Sequence, residues 1–129
     1  MIKNQLMIEV SIGEVVDKYT ILQIKRNKIR DELKLKNINL EFDYIKDIVF
    51  NVLKIAKENV DYLFEINNLL WDIEDSIRIK DKNMEFDNEF IELAKNVYRY
   101  NDALFEVKNR INLLYGSRFI EVKSYEKYS

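Results

Sequence analysis

The sequence predicts an all-α protein, an antiparallel three-helix bundle with a long central helix. Apolar residues recur at alternating steps of three and four along most of the chain, the spacing of helices that bury one face. Only two Gly and no Pro are available to interrupt the 129 residues. A chain of this length supports a single helical domain, residues 1–129, with a modest core.

The first helix is predicted to begin after Ser11, in the sequence Ser11-Ile12-Gly13-Glu14. The Ser11 side chain can accept a hydrogen bond from the Glu14 amide while the Glu14 side chain reaches back, which is the capping-box arrangement. The apolar pattern then continues to about Lys36, and residues 37–39 are the predicted turn. Residues 6–10, before the helix, are predicted as a short strand.

The central helix is predicted from one apolar seam that neither Gly nor Pro interrupts. It covers about residues 40–80 and would be roughly 60 Å long at ~1.5 Å per residue. Asn59 is the single polar residue of the seam, where one Asn typically fixes the register of packed helices. The seam has coiled-coil spacing and consists of Ile45, Val49, Val52, Ala56, Asn59, Leu63, Ile66, Leu70, Ile73 and Ile77.

A second face of the central helix is polar and carries the only tryptophan. Asn67, Trp71, Glu74 or Asp75, and Arg78 follow one another at steps of three and four, so they share one side of the helix. A tryptophan within a polar stripe indicates a groove or an interface. The alternative is a buried tryptophan that closes the bundle beside an ordinary solvated face.

The third helix is predicted to start at Asp87, a good N-cap, and to end at Leu114. Gly116 follows, where a left-handed residue commonly ends a helix. Residues 118–123 alternate weakly and could pair with residues 8–10 as a two-strand ribbon resting on the helices.

The predicted helix lengths decide the expected shape. The third helix is about 42 Å long against roughly 60 Å for the central one, so the helix 1–helix 2 hairpin is expected to protrude. That hairpin has apolar surface to spare, which predicts a homodimer. The residues that supply this surface are Phe42, Tyr44, Phe50 and Phe64.

Composition excludes several classes of function. The chain has no Cys and no His, which rules out their metal sites and their nucleophile–base pairs. No cofactor is expected, and a magnesium ion could be held only by carboxylates. The net charge of −2 argues against nucleic acid as a partner. No apolar run is long enough for a membrane span and the N-terminus lacks a signal-peptide layout, so a cytoplasmic protein is expected.

Polar groups of all three helices and the C-terminal segment are expected to converge at the Trp71 end of the bundle. Such a cluster can bind a small anion or perform acid–base chemistry, or it can be a salt-bridge network that fixes helix packing. The candidate ligand-binding residues are Asp17, Lys18, Trp71, Glu74, Asp75, Arg78, Asn101, Asp102, Lys108, Asn112, Glu121 and Lys123. No residue among them can be assigned a catalytic role.

Three groups of residues resemble the DUF6165 family, short bacterial and phage proteins of unknown function. They are Ser11–Glu14 with Asp17–Leu22, Leu70–Asp75 with Ile77-Arg78, and Asn101-Asp102 with Lys108, Ile111-Asn112, Gly116-Ser117, Glu121 and Lys123–Tyr125. The resemblance covers nearly the whole chain except residues 30–60. It implies no activity, although relatives occur near genes for cell-surface saccharide synthesis. Val122 stands where the family pattern has a second acidic residue.

The function favoured by these patterns is a non-enzymatic helical module that dimerises and presents the Trp71 face to a protein partner or a small ligand. The alternative is a small enzyme or a binding protein for a nucleotide or sugar phosphate. It would use Glu74, Asp75, Arg78, Lys18 and Lys123 as its site.

Overall fold

The computed structural model describes residues 4–124 and contains four α-helices and one π-helical turn. The helices are α1 (Ile12–Lys28), α2 (Glu32–Asp47), α3 (Lys57–Lys82) and α4 (Asn88–Leu114), and the π-helical turn is Ile48–Val52. The all-α prediction is confirmed. Residues 4–124 form no strand, so the predicted two-strand ribbon is absent from them. No helix in this part of the chain is long and apolar enough to cross a membrane.

Three predicted helix ends are confirmed. The Ser11 side chain accepts a hydrogen bond from the Glu14 amide at 3.2 Å, and Asp87 accepts one from the Phe90 amide at 2.9 Å. Gly116 has a φ of 70°, the left-handed conformation expected directly after α4. The Glu14 side chain, however, contacts Lys108 instead of closing the capping box.

The prediction of one central helix over residues 40–80 is wrong. The first helix already ends at Lys28, and Asp31 caps a separate α2 by accepting a hydrogen bond from the Lys34 amide at 2.9 Å. The predicted turn at residues 37–39 lies inside α2. A second break follows the π-helical turn, where Lys54 takes a positive φ of 55°.

The break before α3 is stabilised by a residue far along the chain. The hydroxyl of Tyr115 accepts a hydrogen bond from the Ala56 amide at 2.9 Å and lies 3.5 Å from the Asn59 side-chain nitrogen. No side chain caps α3 locally. The end of α4 therefore determines where α3 begins, and Asn59 contacts this junction.

Contacts between the helices give an up–down–up–down arrangement. α1 and α3 both begin beside the end of α4, because the Ile12 amide bonds to Ser117 and the Ala56 amide bonds to Tyr115. α4 is antiparallel to both, and α2 is antiparallel to α1 because a short turn joins them. The core is formed where α1 packs against α2, α3 and α4. Asp17, in the second turn of α1, bonds to Asn67, one turn before Trp71 on α3.

The helices of the α3–α4 pair extend past the end of α1. Lys28 reaches Asp72 at 3.4 Å, and α3 then continues for ten residues to Lys82, about 15 Å at ~1.5 Å per residue. The last buried residue of α3 is Leu70 and the first of α4 is Asp102. We call residues 71–101 the overhanging hairpin. The protrusion predicted for the helix 1–helix 2 hairpin is found here instead.

Gly13 is a point of close approach between α1 and α4. A Cβ atom at this position would lie 2.6 Å from the Lys108 carbonyl oxygen and 3.0 Å from Oδ1 of Asn112. The Gly13 amide donates a hydrogen bond to that Asn112 oxygen at 2.6 Å. Only a residue without a side chain allows this packing.

The Gly13→Ala variant should therefore lose about 2–3 kcal/mol of unfolding free energy, because its methyl group forces two helix backbones apart. Urea denaturation measures the loss. Gly116→Ala is the control, since a Cβ there meets no atom within 4 Å and only the positive φ is unfavourable. That control should lose about 1 kcal/mol. An unchanged stability of Gly13→Ala would contradict the close packing.

Candidate functional site

The most connected polar cluster surrounds the ammonium group of Lys108, at the start of α1. Lys108 Nζ contacts the carboxylate of Glu14, lies 3.1 Å from Glu121 and 4.0 Å from Asp17. Its side chain is 8% exposed. Three carboxylates from α1 and the C-terminal segment thus surround one buried lysine of α4. We call these four residues the Lys108 cluster.

Asp17 connects the Lys108 cluster to α3. Oδ1 of Asp17 accepts a hydrogen bond from the side-chain amide nitrogen (Nδ2) of Asn67 at 2.7 Å. The same nitrogen donates to the Thr20 hydroxyl at 2.9 Å. Asp17, Thr20 and Asn67 are all buried. The cluster therefore joins α1, α3, α4 and the C-terminal segment through hydrogen bonds and ion pairs.

The C-terminal segment returns to the start of α1, as the sequence predicted. The Ser117 hydroxyl accepts a hydrogen bond from the Ile12 amide at 3.0 Å, and the Glu121 backbone bonds with the Asn109 side chain in both directions. Arg118 forms a bidentate ion pair with Glu9, with N–O distances of 2.7 and 2.8 Å. Tyr125, part of the DUF6165-like motif, lies outside the described residues.

The surroundings of the Lys108 cluster favour the charged forms of Lys108 and Glu121. Burial acts to lower the pKa of Lys108, but the hydrogen bond to Glu14 and the charge of Asp17 outweigh it and raise that pKa. Burial acts to raise the pKa of Glu121, but hydrogen bonds from Lys108 and Lys123 lower it overall. Neither group is tuned towards neutral pH, where acid–base catalysts titrate.

Asp17 is the exception in the Lys108 cluster. Burial raises the pKa of its carboxyl, and this effect exceeds the opposing influence of the Asn67 hydrogen bond and the Lys108 charge. Folding therefore disfavours the charged form of Asp17 relative to the unfolded chain.

The structure brings together five of the twelve predicted site residues, and separates the rest. Asp17, Lys108 and Glu121 belong to the cluster, Lys123 pairs with Glu121 at 3.1 Å, and Asn112 bonds to the amide of Gly13 beside Glu14. Lys18 faces outward and pairs with Glu41 of α2 at 2.9 Å. The remaining residues are Trp71, Glu74, Asp75 and Arg78, which follow Asn67 on α3, and Asn101 and Asp102, which precede Lys108 on α4.

Sequence reasoning missed several members of the site. Glu14 was assigned to the helix cap and Asn67 to the Trp71 face, and neither was linked to Lys108. Thr20 and Asn109 carried no signal, because an isolated Thr or Asn in a helical pattern is usually solvated. The small residue Gly13 within the first turn was the available indication of a close helix contact.

A cleft of about 460 Å³ lies beside the cluster, between α1 and α2. Its volume is within the range of small-molecule sites, and its wall is mainly apolar. The charged residues that line it are Glu14, Asp17, Lys18, Lys25 and Glu41. Among residues 4–124, no three His, Cys, Asp or Glu side chains are placed so that they could hold a metal ion together.

No protein-family model, curated protein or solved structure matches this chain. The resemblance to the DUF6165 family therefore stays a prediction from the sequence motifs. The fold class is a four-helix, all-α domain with one overhanging hairpin.

Replacing Lys108 by Met should cost about 3 kcal/mol of unfolding free energy at pH 7, because it leaves three carboxylates close together without their cation. Chemical denaturation measures this loss. The control is Lys18→Met, which removes an exposed ion pair and should change stability by less than ~1 kcal/mol. Equal effects of the two substitutions would contradict the role of Lys108 as the centre of the cluster.

Asp17→Asn is expected to increase stability at pH 7, because the raised pKa of Asp17 means that folding disfavours its charged form. As the pH falls through the folded-state pKa towards 3.8, the wild-type carboxyl takes up a proton and the advantage of the variant shrinks.

Urea unfolding of both proteins at a series of pH values measures this difference. Asp72→Asn, at an exposed carboxylate, is the matched control and should stay within ~0.5 kcal/mol of wild type. A variant that is less stable than wild type by the same amount at every pH would refute the assignment.

Proposed function

We propose that the protein is a non-enzymatic helical module that docks onto another protein through its overhanging hairpin. The observation that carries this proposal is the end of the core: no residue between 71 and 101 is buried, although the apolar pattern of both helices continues. Two helices without a third layer leave their facing apolar side chains partly in water. Those half-exposed side chains are Ile73, Ile77, Phe90, Leu93 and Val97.

The tip of the hairpin supports the same proposal. Met84 is 77% exposed and has a φ of 57°, in the left-handed region that favours Gly. It occupies the C′ position of a Schellman motif, in which the Glu85 amide donates to the Lys80 carbonyl at 2.8 Å. A non-Gly residue in this conformation costs about 1 kcal/mol. An exposed apolar side chain kept in a strained backbone is typical of a binding residue.

Two observations favour docking over the alternative of nucleotide or sugar phosphate binding. The Lys108 cluster has its single buried cation already surrounded by carboxylates. The cleft beside it is lined by three carboxylates and two lysines, and one of those lysines is paired with Glu41. A phosphate group would meet predominantly negative charge there.

Placing the photo-reactive residue p-benzoylphenylalanine at Met84 tests the docking surface. Illumination of living cells that express the protein should give a discrete cross-linked product. The same group at Leu113, which is 79% exposed at the other end of α4, should give none and serves as the control.

A thermal-shift screen against nucleotides, sugar nucleotides and divalent cations accompanies this experiment and should leave the melting temperature unchanged. The proposal fails if Met84 yields no specific product, or if a nucleotide or sugar phosphate stabilises the protein.

A further inference from the structure

The overhanging hairpin and the end of α1 together form a step on the surface. α1 stops beside Asp72, and the turn at residues 29–31 leads into α2, so the floor of the step is the α1–α2 turn. The wall is the part of α3 and α4 that continues for about 15 Å beyond it. Asn67 faces α1, and Trp71, Glu74 and Arg78 follow one, two and three turns later on the same side of α3, along the wall.

The wall and the floor of this step carry opposite charges. Residues 72–92, the part of the hairpin above α1, contain eight acidic and three basic side chains. Residues 25–36, which include the α1–α2 turn, contain six basic and two acidic side chains. Three of the acidic groups at the hairpin tip share one cation, Lys80, whose side chain is 12% exposed. The hairpin thus keeps an acidic surface after its internal ion pairs are formed.

Exposed apolar residues lie on both the hairpin and the α1–α2 turn. Met84 and the 57%-exposed Phe86 project at the hairpin tip, and Leu33 is 78% exposed in the first turn of α2. Each surface of the step therefore combines an apolar centre with charges of one sign. The two surfaces are complementary to each other, and within one molecule α3 carries the hairpin tip about 15 Å beyond the contact between Lys28 and Asp72.

We propose, resting on the docking function assigned above, that the occupant of the step is a second copy of this chain. In a two-fold dimer, the hairpin of each copy lies in the step of the other. The apolar walls then pack against each other, and the acidic tip of each hairpin meets the basic α1–α2 turn of its partner. A two-fold axis pairs the two walls with each other and each hairpin tip with the α1–α2 turn of the other copy. Both steps are then occupied, so the assembly closes as a dimer and does not extend into a polymer.

Sedimentation equilibrium in 50 mM salt tests the pairing. The protein should show a mass near twice 15.6 kDa at about 100 μM, and it should dissociate more readily in 1 M salt because exposed charges are then screened. A monomer at several hundred micromolar in 50 mM salt would overturn the dimer.

Charge exchange then tests which surfaces meet. Glu74→Lys with Asp81→Lys, and separately Arg30→Glu with Lys34→Glu, should each raise the dissociation constant at least about tenfold. An equimolar mixture of the two variants should restore a dimer of near wild-type affinity. The control pair, Asp43→Lys with Glu65→Lys, reverses exposed charges outside the step and should leave the dissociation constant unchanged.

The outcomes separate this inference from the docking function. A mixture that stays dissociated, or a control that weakens the dimer as much as the step variants do, refutes the second copy as occupant. In that case a cross-linked product of Met84 with a different protein would leave the docking function intact. Circular dichroism confirms that each variant is folded before its mass is measured.

Discussion

The arrangement of the whole domain depends on the contact between the first turn of α1 and the last third of α4. Gly13 brings the two backbones together, and Lys108, one turn from Asn112, collects the carboxylates of Glu14, Asp17 and Glu121. An ammonium group that is buried without negatively charged partners is strongly destabilising, so Lys108 depends on the carboxylates that α1 and the C-terminal segment bring to it. The contact therefore defines one relative position of α1, α4 and the C-terminal segment and excludes a sliding register.

The position of α1 on α4 also explains why residues 71–101 form an overhanging hairpin. The start of α1 is anchored at the C-terminal end of α4, and the 17 residues of α1 reach only as far as Asp72 of α3. The 26 residues of α3 and 27 of α4 continue without a third helix beside them. The structural site and the proposed docking surface thus lie at opposite ends of the molecule. The polar cluster stabilises the fold, while the overhanging hairpin offers the unsatisfied apolar surface.

Local signals in the sequence were sufficient for the helix ends at Ser11, Asp87 and Gly116, because cap residues act through bonds within one turn. The breaks around residues 29–31 and 53–56 could not be predicted in this way. Asp31 looks like any surface carboxylate within a continuing helical pattern, and the second break depends on the hydroxyl of Tyr115, 59 residues from Ala56. Periodicity also does not encode whether two helices run parallel. Antiparallel neighbours were assumed, which predicted Trp71 next to the C-terminal segment, whereas the observed bonds of that segment join it to Glu9, Ile12, Lys108 and Asn109.

Amide hydrogen exchange at Ile12 and Gly13 tests the central contact most directly. These amides belong to the first turn of a helix, where no intrahelical acceptor exists. They bond instead to Ser117 and Asn112. If α1 is anchored to α4, both amides exchange as slowly as those of Leu63 and Ile66 in the middle of α3. Rapid exchange at Ile12 and Gly13 while α3 stays protected would show that α1 is not anchored to α4, and would contradict the account.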